Sequence, residues 1–326
     1  MATYKEIHGT NIQIVSSDPS YAVEGQIWYN TTSNTVKGLL NNSGSWATQN
    51  DISNPGSKQA GAGTQPAAII FGGSPTSASP TELWNGTNWT EVNNLNNGRS
   101  TGAGCGASST AALCFAGVPT SVWVDTESWN GTNWTEVNNL NQGAERTAGS
   151  GIQTSALNYG GEAPGNSTKT ELWNGTNWTE VNDLNTARHA LQGAGANNTS
   201  ALAFGGRSSP NAATELYNGT NWTTVNNMGT GRYDMGSAGI ATLAVAYGGK
   251  TGPSGSPPDA YVASTEKWNG TNWSVSGDMN VIRGLPRGAG TQAAAIAGGG
   301  AGPLPAAGST AESFDSGPTT VTLTGS

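Results

Sequence analysis

Charge, histidine and cysteine are all scarce in this chain of 326 residues: charged residues make up 10%, and there are two histidines and two cysteines. Two histidines are too few for a histidine-rich metal site, so no cofactor is expected. The 13 lysines and arginines stand singly, and the formal charge is -8. No basic stripe exists to neutralise phosphates, which argues against a nucleic-acid partner. Long apolar runs are missing as well, so neither a membrane-spanning helix nor a signal-peptide core can be read, including in the opening "MATYKEIHGTNIQIV". The expectation is a product made soluble, outside the general secretory route, with no membrane partner.

What is abundant points elsewhere. Glycine reaches 48 residues and tryptophan 12, a composition for many short strands joined by tight turns. Low charge with 7% aromatics also separates the chain from disordered polyelectrolytes. Cys105 and Cys114 lie in "GCGASSTAALC". A hairpin turning near Ser109 would put them on adjacent strands within reach of a disulfide. The alternative is two buried thiols, because Cys105 holds a place that Ala194 fills in another copy of the repeat.

That repeat dominates the sequence. "TELWNGTNWTEVNNLN" at 81 returns at 126, 170, 214 and 265, and the leading aromatics Trp84, Trp129, Trp173, Tyr217, Trp268 and Phe314 recur at a period in the mid-forties. Each unit reads as a small-residue strand ("QGAGA"), an apolar strand ending in Gly-Gly ("ALAFGG"), a variable loop, and a strand pair around "WNGTNW". That is four strands and no helix. The Asn-Gly supplies two residues that accept positive φ, as a tight hairpin requires. Six equivalent glutamates, Glu82, Glu127, Glu171, Glu215, Glu266 and Glu312, are nearly matched by Arg99, Arg146, Arg188, Arg232 and Arg283. A catalytic reading would want one or two carboxylates in distinct surroundings, so six equivalents indicate a structural role inside the sheets.

The recurrence of Gly72-Gly73, Glu82, Trp84, Trp89 and Arg99, and of Gly160-Gly161, Glu171, Trp173, Trp178 and Arg188, resembles the kelch repeat. The resemblance covers about residues 57–326 and implies an all-β fold, a kelch-like β-propeller of four-stranded blades. The second unit departs from it with Ala116-Gly117, and the sixth has no second tryptophan. Six blades are favoured, with residues 1–56 as an N-terminal β segment for attachment or closure and 57–326 as the propeller. In the alternative, Trp28 and Trp46 are a worn copy of the outer strand pair, "NNSGSWATQND" echoing "WNGTNWTEVNN", and the blades number seven.

Around Gly25, Ile27, Trp28, Tyr29, Asn30 and Lys37, "GQIWYNTTSNTVK" resembles a short hairpin segment of bacteriophage tail-fibre and other virion proteins. The resemblance implies a virion protein made in the host cytoplasm, multimeric in the particle and contacting other virion proteins through residues 1–50. The Asn-x-Ser/Thr triplets, Asn85 and Asn88 among them, are read as turn chemistry rather than glycosylation sites.

Between near-identical "NGTN" turns the loops joining strands 2 and 3 differ completely: "SPTSASP", "VPTSVWVD", "EAPGNSTK", "RSSPNAA", "KTGPSGSPPDAYVAS" and "AGPLPAAGS". Individual loops on a rigid frame are where recognition sits. Trp123 with Asp125, Arg207, and Tyr261 with Asp259 are the candidate binding residues, aromatic and polar groups suited to a sugar ring. Trp123 is equally readable as a plug over its own blade. A carboxylate pair from Asp125, Asp234 and Asp259 is conceivable, but nothing in the sequence sets the separation that sugar cleavage requires. The expected function is therefore non-enzymatic: tail-fibre-like or adhesin-like binding of a host-surface glycan or receptor, with a structural decoration protein, or a bacterial surface or filament protein, as the alternatives.

Overall fold

The computed structural model of the chain describes residues 12–20, 26–40, 43–57, 60–74, 79–118, 123–208, 212–252, 260–303, 308–317 and 319–323. Two compact units divide it, Gly44–Asp315 and a smaller one of Met1–Ser43 with Ser316–Ser326. No α-helix occurs among the described residues.

In the larger unit, six four-stranded antiparallel sheets follow one plan. Sheet 3 is representative, with strands Ala148–Ile152, Ser155–Tyr159, Thr170–Trp173 and Trp178–Val181 in sequential order. Sheets 1, 2, 4 and 5 span 60–92, 103–137, 192–225 and 236–275. The second strand of each buries nearly every residue, as in "iBBBB" for Ala67–Phe71, and therefore reads as an unbroken apolar run between two neighbouring sheets. First strands pack on one another around a cycle, from sheet 1 through sheet 6 and back to sheet 1. Only small residues allow this approach: a Cβ on Gly61 would lie 2.7 Å from the carbonyl oxygen of Gly288.

Sheet 6 is completed from the other end of the chain. Its strands are Arg287–Gly290, Ala294–Gly298, Ala311–Asp315 and Ser45–Gln49, and Trp46 lies opposite Phe314, as Trp89 lies opposite Trp84. The missing second tryptophan of the sixth copy is thus supplied by residues 45–49, which carries the boundary of this unit to Gly44 rather than 57. The echo in "NNSGSWATQND" was a real one for Trp46. Trp28 is fully buried in the smaller unit, whose sheet pairs Gln13–Val15, Ile27–Asn30, Thr35–Leu40 and Thr319–Thr322 in that order.

Adjacent sheets of the larger unit are joined by repeated contacts that explain the constancy of the repeat. The strand-4 tryptophan stands edge-on to the strand-2 aromatic of the preceding sheet, as in Phe71–Trp134 and Phe115–Trp178 with centroids 4.8 and 5.0 Å apart. Its indole N–H donates to the leading threonine of that preceding sheet: Trp134 to Thr81, Trp178 to Thr126, Trp222 to Thr170, Trp273 to Thr214 and Trp46 to Thr265. On the outside Asn93, Asn138, Asn182, Asn226 and Asn50 each reach the "NGTN" turn of the next sheet. Within the turn only the glycine takes positive φ, 92° at Gly86. Asn85 acts through its side chain instead, accepting the N–H groups of Thr87 and Asn88.

The two cysteines are free thiols. Cys105 lies opposite Leu113, and Cys114 opposite Gly104, so strand alternation sends them to opposite faces of sheet 2 and into different apolar clusters. The disulfide reading fails on that parity. Burial pushes both thiols up, Cys114 to about 12.

Candidate functional site

At one end of each sheet in the larger unit the strand 2–3 loop is stitched to the connection arriving from the previous sheet. The bridging pairs are Ser57–Ser74, Ser100–Val118, Glu145–Glu162, His189–Arg207, Tyr233–Lys250 and Gly284–Ala301. Just inside, a belt of backbone hydrogen bonds runs from Thr101 through Arg146, Ala190 and Asp234 to Leu285, each N–H donating to the preceding carbonyl. All five hold φ between 53° and 59°, a left-handed strain that the ring geometry imposes at five equivalent points. The belt lies between the loops and the ring of first strands, whose glycines and alanines line a channel of about 140 Å³.

The bridging positions differ in chemistry, and those of sheets 3 to 5 gather polar and aromatic groups. The Arg207 guanidinium lies 5.0 Å from the ring centroid of Tyr233. The Lys250 ammonium is 5.9 Å from the Tyr233 centroid and 5.1 Å from that of Tyr261. Arg207, Tyr233, Lys250 and Tyr261 therefore form one alternating row of cations and rings. Lys250 also pairs with the buried carboxylate of Asp234 at 3.4 Å. On the other flank, His189 Nδ1 is 2.6 Å from Asn166 Oδ1, and its Nε2 is 3.7 Å from a Glu162 carboxylate oxygen. Partial burial lowers the His189 pKa against the opposing pull of Glu162, with Arg146 and Arg207 adding to the lowering.

Of the residues singled out from sequence, Arg207 and Tyr261 belong to this row. Trp123 does not: it is half-buried on the sheet 2 loop with φ of 54°. Asp125 is occupied in its own loop, its carboxylate accepting from Asn139 Nδ2 at 3.2 Å and its carbonyl from Arg99. Asp259 lies outside the described residues. Tyr233, Lys250 and His189 were missed because Tyr233 and His189 sit on the connections between sheets. Their signal was the same one used for the loops, variation between copies, applied to "GRYDM" and "ARHAL".

The six glutamates have the structural role expected. Each accepts backbone N–H groups of the preceding connection, for example Glu127 from Asn96 and Asn97, and Glu82 from Ser53 and Asn54. Four also hold a buried arginine: Arg99–Glu127, Arg188–Glu215, Arg232–Glu266 and Arg283–Glu312, at 2.5 to 3.0 Å. Arg146 is not one of the set. The equivalent position is Ala144, whose carbonyl accepts from Gly117 just as that of Arg99 accepts from Gly73.

A scan of known protein families and a search of curated proteins matched nothing along this sequence. Among solved structures, that of YjhT, a bacterial protein, superposes with a TM-score of 0.66 at 12% identity, covering 84% of this chain and 99% of that one. The fold is propeller-like. At this identity the likeness extends to architecture alone.

Proposed function

We propose that the larger unit is a six-bladed kelch-like β-propeller and that the chain is a non-enzymatic recognition protein of a bacteriophage particle, tail-fibre-like or adhesin-like, binding a host-surface glycan or receptor. The contrast between the two ends of the sheets carries this reading. One end repeats the same Asn-Gly turn and the same asparagine ladder in sheet after sheet, whereas the other gathers the half-buried Arg207, Lys250 and Tyr261 about the fully buried ring of Tyr233 once. The partly exposed Tyr261 ring, with the charged groups of Lys250 and Arg207 in the same row, matches a sugar, which offers an apolar face and a rim of hydroxyls. The virion assignment rests on the hairpin resemblance around Trp28. Titration of the full chain over an array of bacterial surface glycans tests the binding role, and absence of binding to all of them counts against it.

A second reading, a head or tail decoration protein, draws on the smaller unit. It has its own four-stranded sheet, and Ile12 and Ile14 are exposed on it at 45% and 71%. Removing residues 1–43 should then release the protein from purified particles, as read by mass spectrometry.

A further inference from the structure

The position held by Arg99, Arg188, Arg232 and Arg283 is filled in the approach to sheet 3 by Ala144, and the contrast defines a pocket. In the four sister sites the guanidinium meets a fixed set of acceptors. One terminal nitrogen donates to the sheet's glutamate, and the other to the carbonyl of the residue before the leading threonine, as Arg188 does to Glu215 and Ala213, or Arg232 to Glu266 and Ser264. A Gly-Gly carbonyl joins them in three cases, Gly205, Gly248 and Gly299.

Sheet 3 keeps every one of these acceptors. Glu171 is buried and takes N–H groups from Asn141 and Gln142. Its Oε1 accepts the Gln142 N–H alone, where the matching oxygen of Glu127 accepts both the Asn97 N–H and Arg99. Gly160 and Lys169 stand where Gly205 and Ala213 stand in sheet 4, with the same backbone bond between them. Glu171, Gln142, Gly160 and Lys169 line a cavity of about 260 Å³, walled also by Ala144 and Asn158 and lipped by the exposed Asn166.

Asn158 is the second observation. It pairs with Glu171 across the sheet, the place that Ala203 takes opposite Glu215. Its side chain is buried, 5% exposed, and its Oδ1 has no hydrogen-bond partner. An unsatisfied carbonyl beside a buried carboxylate is costly in a structural core, and a positively charged donor with several N–H groups would relieve both. The neighbouring Lys169 does not serve, because its ammonium is engaged by Glu180 and Asp183.

We propose that this cavity is a binding site for a guanidinium group carried on a short alkyl stem. Planar donors in a fork fit the acceptor set, and four arginines in the same molecule display the bound geometry. The site is independent of the glycan reading. The group could come from a small molecule or from an arginine side chain of another protein, and the size of the bearing molecule separates these.

The test is thermal unfolding of the full chain in 0–20 mM ethylguanidinium chloride, with tetramethylammonium chloride at equal ionic strength as control. A site of millimolar affinity gives a saturable rise of about 2–4 °C. Acetyl-arginine amide repeats the experiment: a matching rise admits a protein side chain, and a rise with ethylguanidinium alone restricts the site to small molecules. Ala144→Arg should raise the midpoint by itself and remove the response. A flat or falling midpoint in the unaltered protein, or an equal rise in Ala144→Arg, overturns the proposal.

Discussion

Trp89 and Ala311 share one buried cluster at the junction of sheets 6 and 1, and the Trp89 indole N–H finds no acceptor there. At the other five junctions the equivalent partner is a threonine, and the bond is made at 3.0 or 3.1 Å. Sheet 6 alone begins "AESF" where the others begin with Thr-Glu. Ala311→Thr should stabilise the protein by about 0.5–1.5 kcal/mol, the usual worth of one added buried hydrogen bond. Thr265→Val, which strips the acceptor from Trp46 without changing side-chain shape, should cost about 1–3 kcal/mol. Denaturant midpoints at constant slope check both.

Trp46 joins the chain's beginning to its last sheet, touching Tyr247 and Phe314 with centroids 4.9 and 5.1 Å away. Trp46→Ala is expected to lose about 3–5 kcal/mol. Hydrogen exchange should rise first in residues 294–298 and 311–315. Uniform exchange with no preference for these strands would contradict the closure role.

His189 makes stability depend on pH with a defined sign. Its folded pKa is depressed by burial, so the unfolded chain takes up the proton first as pH falls. The stabilisation from a neutral, buried imidazole is complete above about pH 6.5 and declines below it, toward the folded pKa. The stability difference between the protein and His189→Gln should shrink through that window, and the His189 ring signals should titrate below the free value.

Asp18 in the smaller unit behaves as a depressed carboxylate. Lys37, Asn30 and Trp28 all donate to it, holding its pKa at about 2. Its contribution is present above the unfolded value of about 3.9 and is lost as pH falls toward 2. The carboxyl carbon shift of Asp18 should titrate near 2, and Lys37→Ala should move it upward.

The sheets were readable from sequence because their determinants are local: alternating burial, a Gly-Gly stop and a turn that repeats. The sixth sheet was legible only in outline, since the pairing of Trp46 with Phe314 spans almost the whole chain. Cys105 and Cys114 turned on strand parity, which a shift of one residue inverts. Arg146 was misaligned with the arginine set although counting excludes it: the other four arginines follow their glutamates by 17 residues, Arg146 follows Glu127 by 19, and the residue at 17 is Ala144. The row at Tyr233 was half legible: loop variation pointed to Arg207 and Tyr261, but their bridging partners come from a connection that looks like part of the frame.

The most direct test of the recognition account compares variants at the two ends of the larger unit. The full chain, Tyr261→Ala, Arg207→Ala and Asn133→Ala are titrated on the glycans bound by the unaltered protein. The account predicts at least about a tenfold loss for Tyr261→Ala and Arg207→Ala and unchanged binding for Asn133→Ala on the constant turns. Binding that survives both loop-end changes and fails in Asn133→Ala would contradict it.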